Sequence, residues 1–252
     1  MEVDFEQGSA GSLAKGADGF TDPFKTVYST AHAISGTQSG EASINAGSEG
    51  FGDWGGQINT PDLFEGDEIW LRVFLFYPNG FDFACSSCIG VKTLRIHTAS
   101  SSGGNEGYFD MLTYNTGLTA ASEITPEFFD NNPEAKWNDI GAPVTTGRWH
   151  AYEMYVKFSS QPGQGIFRLW QNGNLIFEDT QTRTMRTSSS KSDFIYFWSY
   201  WNGRAPATQK AYIDHVIITN ETPATRDKHG NPFIGLGNIT LLSPPKPPTI
   251  RQ

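Results

Sequence analysis

Alternation of apolar and polar residues with a period of two, repeated in segment after segment, constrains this chain most. Glu68–Tyr77 sets Ile69, Leu71, Val73 and Leu75 on one side and Trp70, Arg72, Phe74 and Phe76 on the other. Residues 149–158 set Tyr152, Met154, Val156 and Phe158 against Trp149, Glu153, Tyr155 and Lys157. Residues 91–98 set Leu94 and Ile96 against Arg95 and His97. Side chains alternate between faces in a strand, so each segment has one face for a core and one to show. Asn172-Gly173, between two such runs, marks a hairpin turn. Residues 3–6, 42–46 and 107–115 read as further strands. No stretch repeats at 3.6. Residues 123–139, with Thr125-Pro126-Glu127 near their start, are expected to be the one helical or irregular segment.

The pattern predicts an all-β fold, a two-sheet β-sandwich. High Gly (27) and aromatic content (13%) agree with many short strands and tight turns. One domain is expected over residues 1–222. Residues 223–252 form a C-terminal extension whose end, Pro244-Pro-Lys-Pro-Pro248, is proline-rich. Cys85 and Cys88 lack the further ligands of a zinc site and the helix of a redox motif, which leaves a small-loop disulfide or two thiols.

A net charge of −9 argues against nucleic acid as a partner. A local basic cluster can still hold an anion. No apolar run reaches the length that spans a membrane. The start of the chain has no signal-peptide pattern. The showing faces carry Trp, Tyr, Arg, Lys and Glu, a combination suited to a sugar chain, because a pyranose packs its apolar face on aromatic rings. Trp198, Tyr196, Tyr200 and Trp170 are the candidate stacking residues, with Lys157, Glu153, Tyr155 and Arg168 beside them. Trp54, in a Gly-rich loop, is expected to pack against its turn. An extended polysaccharide is the expected partner, met outside the cell by a secreted monomer.

The strand holding Trp149, Glu153 and Lys157, the hairpin Leu169-Trp-Gln-Asn-Gly-Asn-Leu175, the strand Tyr196-Phe-Trp-Ser-Tyr-Trp201 and the strand Tyr212-Ile-Asp-His-Val-Ile217 together resemble concanavalin A-like jelly-roll polysaccharide lyases, of the heparin lyase I-like and alginate lyase-like groups. The resemblance covers roughly the second half of the chain. The hairpin and closing strand also occur in laminin G-like lectin domains. Arg95-Ile-His97 stands where family members often carry Gln-Ile-His. In the family's Tyr-Phe-Lys-x-Gly-x-Tyr strand, Trp198 replaces the Lys and Asn202 falls at the last Tyr.

The resemblance implies β-elimination on a uronate-containing anionic polysaccharide in an open groove. Arg95 or Arg72 would neutralise the carboxylate, His97 would remove the C5 proton, and Tyr200 would supply the phenol. It also implies a structural calcium held by Glu6 and Asp214 on the terminal strands, and no organic cofactor. A non-catalytic, lectin-like carbohydrate-binding domain is the alternative. A glycoside hydrolase is a third reading, and the sequence has no Glu-x-Asp-x-Glu-type strand to support it.

Overall fold

The structure is a computed structural model that describes residues 1–15, 20, 25–50, 54–84, 90–124, 136–239 and 241. Cys85, Cys88 and the Pro244–Pro248 run lie outside the described residues. The strands, in chain order, are β1 (Glu2–Val3), β2 (Val27–Ser29), β3 (Ser39–Ile44), β4 (Gly56–Leu63), β5 (Glu68–Tyr77), β6 (Val91–Ala99) and β7 (Asn105–Tyr114). They continue with β8 (Gly117–Ile124), β9 (Lys136–Asp139), β10 (Arg148–Lys157), β11 (Gly165–Gln171), β12 (Asn174–Thr182), β13 (Ser192–Trp201) and β14 (Gln209–Thr219).

They form two antiparallel sheets, giving an all-β jelly-roll sandwich. The first sheet runs β12-β11-β10-β5-β14-β3-β2, with β1 added along β14. The second runs β4-β13-β6-β7-β8-β9. The segment expected to be helical or irregular ends in a strand: Lys136–Asp139 pairs with β8, because Trp137 and Asp139 alternate with Asn138 and Ile140 as a strand requires. Residues 125–135 lie outside the described residues. The β11–β12 hairpin turns on Asn172 (φ 51°) and Gly173 (φ 79°), two left-handed residues that match the twist of the flanking strands.

The core lies between the sheets. From the first sheet come Ile69, Leu71, Val73, Leu75, Tyr152, Met154 and Val156, the apolar halves of the alternating runs. From the second come Leu94, Ile96, Phe109, Met111, Ile195 and Phe197. Trp54 lies in this core, stacked between Trp198 and Trp201 with ring centroids 5.8 and 5.9 Å away.

Trp198 therefore does not line a sugar platform, and the reason is a β-bulge. Phe197 pairs with Leu94 and Tyr200 with Lys92, so Trp198 and Ser199 together oppose Thr93 alone. The extra residue breaks the period of two. Trp198 takes a left-handed φ of 48° and turns inward. Its Nε1–H donates to the Tyr77 hydroxyl at 3.0 Å. Burial pushes that phenol up to about 12, which keeps it a neutral hydroxyl.

Candidate functional site

The two outer faces of the sandwich divide the predicted site residues between them. Arg72, Glu153, Tyr155, Lys157, Arg168 and Trp170 lie on β5, β10 and β11 of the first sheet. Arg95, His97, Tyr196 and Tyr200 lie on β6 and β13 of the second. Sheets pack about 10 Å apart with their inner side chains between them. One sugar chain lying on one face cannot touch both sets.

The first face is largely closed by the C-terminal extension. Trp70 Nε1–H donates to Pro232 O at 3.1 Å, and Arg72 reaches the carbonyls of Gly235 and Leu236 at 3.5 and 3.4 Å. Glu153 accepts the backbone N–H groups of Ile234 and Gly235. Trp170 stacks on Phe233 at 5.9 Å and donates to Asp227 at 2.9 Å. Asp227 also accepts from the backbone of His229 and Asn231, and these donors outweigh its partial burial and hold its carboxyl at about 2. Arg72, Glu153, Tyr155 and Trp170 thus seat a strap of the chain's own backbone. Burial pushes Glu153 up to about 7, against the pull of the Ile234 and Gly235 amides and of Arg72. Arg168 pairs with Glu178 at 2.5 Å beside the Tyr155 ring, and Lys157 stands opposite Glu68 in the sheet.

Glu6 and Asp214 both brace the loop at residues 34–38. Glu6 accepts from Thr37 N, Thr37 Oγ1 and Gln38 N. Asp214 accepts from the backbone N–H groups of Ile34, Ser35 and His215. Calcium needs six to eight oxygen ligands, and oxygens already facing N–H donors do not fit it. Among the described residues no three His, Cys, Asp or Glu side chains cluster as metal ligands.

The second face carries a compact polar and aromatic constellation. His97 Nδ1 meets Asp193 Oδ1 at 2.6 Å, and its Nε2 meets Asn105 Oδ1 at 3.1 Å. The imidazole stacks on Phe194 at 4.0 Å and leans on Tyr108 at 5.0 Å. Tyr196 sits against Phe194 at 4.6 Å and Tyr108 at 6.2 Å. Burial raises the Tyr196 phenol above its ordinary range, opposed by Arg95. Gln57 and Asn59 on the edge strand β4 stand opposite Tyr196 and Phe194, and Gln57 Nε2–H donates to Asn59 Oδ1 at 2.6 Å.

Arg95 is not placed to neutralise a substrate. Its Nε and Nη2 both bond Asp110, at 2.8 and 3.3 Å, and its guanidinium lies 3.6 Å over the Tyr108 ring. Arg95 is 4% exposed and Asp110 fully buried, so the pair forms the floor of the site. Tyr200 stands opposite Lys92, five residues along β6 from His97. At about 3.3 Å per residue this is roughly 17 Å along the strand. Its hydroxyl bonds the Glu49 carboxylate. The phenol whose ring touches His97 is that of Tyr108, and Tyr196 joins the same cluster through Phe194 and Tyr108.

The sequence reading missed Asp193, Asn105, Tyr108, Asp110, Gln57 and Asn59. Tyr108 and Asp110 alternate along β7, and Gln57 and Asn59 along β4, so a signal existed for these four. Asp193 is the second residue of β13 and Asn105 the first of β7, where alternation has barely begun and the sequence carries no sign of them.

No protein-family model matches the chain, and no curated protein matches it. Solved structures do. The endo-β-1,4-glucuronan lyase of the fungus Trichoderma reesei aligns over 88% of this chain and 95% of its own, with a TM-score of 0.61 and 14% identity. Alginate lyase vAL-1 from Chlorella virus aligns over 84% and 100%, with a TM-score of 0.63 and 17% identity. The PL-14 alginate lyase of Aplysia kurodai aligns over 78% and 87%, with a TM-score of 0.58 and 14% identity. At such identity the likeness is one of fold.

Proposed function

We propose that the protein is a polysaccharide lyase, acting on a uronate-containing polymer by β-elimination at the outer face of the second sheet. The observation that carries this is His97 on that face, in one aromatic cluster with the Tyr108 and Tyr196 rings and with Asp193 and Asn105 on its two ring nitrogens. The solved structures of this fold named above are lyases of uronate polymers, which supports the reaction class.

Elimination needs three tasks. The uronate carboxylate must be bound so that C5–H becomes acidic enough to leave. The carboxamides of Gln57 and Asn59 on β4 are the donors we assign to it. His97 Nε2 takes the C5 proton, the electron pair becomes the C4=C5 double bond, and the C4–O bond breaks. The departing oxygen takes its proton from Tyr196, whose raised phenol stays protonated until that moment. No water is consumed. Asn105, exposed at the start of β7, must give way from Nε2 when substrate enters.

The test is absorbance of the unsaturated product on a panel of alginate, glucuronan, pectate, hyaluronan and heparin, with His97→Ala alongside. Growth of absorbance on one polymer, lost by about 10²–10⁴-fold in the variant, is expected. Full activity in His97→Ala sinks the assignment of the base. Binding of a polymer with no product on any would establish the lectin-like alternative.

A further inference from the structure

The irregularity that opens β13 places an acid, a base and a second acid in a line that ends on His97. Ser192 pairs with Leu63 and Phe194 with Asn59, so Thr60, Pro61 and Asp62 bulge against Asp193 alone. Pro61 suits such a place, since it has no N–H for the ladder. The bulge brings Asp62 to Lys191, with Nζ 2.9 and 3.0 Å from its two carboxylate oxygens. Lys191 Nζ lies 3.7 Å from Asp193 Oδ2, and Asp193 Oδ1 lies 2.6 Å from His97 Nδ1.

We propose that Asp193 is the positioning residue of this site: it holds a proton on His97 Nδ1 and so makes Nε2 the nitrogen that reacts. The proposal rests on the lyase reading for its catalytic meaning. An ionised carboxylate only accepts, so Nδ1 facing it carries the hydrogen, and Nε2 is free to act as base once Asn105 Oδ1, which also only accepts, has given way. The hydrogen bond and charge of His97, together with Lys191, outweigh the partial burial of Asp193 and lower its carboxyl below the usual range. The ring cannot swing away, because Phe194 covers one side at 4.0 Å. A histidine whose other nitrogen is fixed by a carboxylate has one defined reactive nitrogen. Lys191, itself shared with Asp62, keeps Asp193 ionised.

The charged and titratable groups around the ring come from three strands and one loop. Asp193 and Tyr196 stand on β13, Tyr108, Asp110 and Glu106 on β7, and Arg95 on the ring's own strand β6. Lys191 precedes β13. Asp110 is joined to Arg95, so its charge is balanced locally. Asp193 is therefore the carboxylate whose removal the ring feels directly.

The experiment compares wild type with Asp193→Asn, Asp193→Glu and Lys191→Met. Nitrogen NMR of the substrate-free protein reads the His97 tautomer. Wild type is expected to show the Nδ1–H form, and Asp193→Asn a mixture. With the polymer found by the absorbance panel, Asp193→Asn is expected to lose about 10- to 100-fold in kcat with KM little changed. Asp193→Glu restores the tautomer and part of kcat. Lys191→Met gives a smaller loss of the same kind. An unchanged tautomer in Asp193→Asn overturns the proposal even in a protein that turns nothing over. Unchanged kcat in an active enzyme overturns it as well. A wild type inactive on every polymer, with the tautomer as expected, sinks the lyase reading and leaves the Asp193–His97 geometry standing.

Discussion

The outer faces of the two sheets start from the same kind of sequence and end differently. Both alternate aromatic and charged residues against a core-facing apolar half. On the first sheet, Trp70, Tyr155 and Trp170 disappear beneath residues 232–236, and Arg72 and Glu153 turn to the backbone of that strap. On the second, Phe194, Tyr196 and Tyr108 surround a histidine whose two nitrogens face side chains, not backbone. An amphipathic strand announces that its second face will meet something. It does not say whether that partner is solvent, ligand or a distant part of the same chain.

The comparison breaks if function and stability fail to separate between the faces. His97→Ala should abolish turnover and leave thermal unfolding near wild type, because one partly polar ring is lost. Trp170→Ala should do the reverse. It removes the indole that anchors Phe233 and Asp227, and large-to-small changes of this kind cost about 3–5 kcal/mol. Denaturant unfolding with activity measured on the surviving fold checks both. Loss of glycan binding in well-folded Trp170→Ala would return the platform to the first face.

A second test sharpens the contrast through pH. Glu153 is raised in the fold to about 7 from 4.5, so the fold binds its proton more tightly than the unfolded chain does. Its stabilising contribution is complete below pH 4.5 and is lost as pH rises to 7, an effect on the order of 3 kcal/mol at most. Asp214, raised to about 6, slopes the same way over a lower window. Asp227, lowered to about 2, acts only in strong acid and in the opposite sense. Glu153→Gln should therefore flatten the fall in unfolding free energy between pH 5 and 7.5. An unchanged slope would mean that Glu153 is not a buried acid under the strap.

The smallest effect is expected at the rim of the first face. Arg168→Ala breaks a partly exposed ion pair with Glu178 and should cost about 0.2–1 kcal/mol. It should leave the KM for any polymer unchanged. A several-fold rise in KM would mean that sugar reaches the first face after all.

The sequence by itself marked the long alternating strands but not β2, β4, β8 or β9, and it determined the core-facing halves of β5, β6 and β10 and the Asn172-Gly173 turn. These depend on local periodicity and on backbone conformation, which neighbours in the chain dictate. It also singled out His97 by its place on an alternating strand. Tertiary structure alone decided the rest. The bulge at Trp198 and Ser199 reversed the facing of an indole because one extra residue shifts the alternation. The strap closed one aromatic face from 57 residues beyond Trp170, where Asp227 binds it, and no local pattern spans that distance. Asp193 reached His97 across 96 residues because β13 lies beside β6 in the sheet, and strand order comes from packing the whole sandwich.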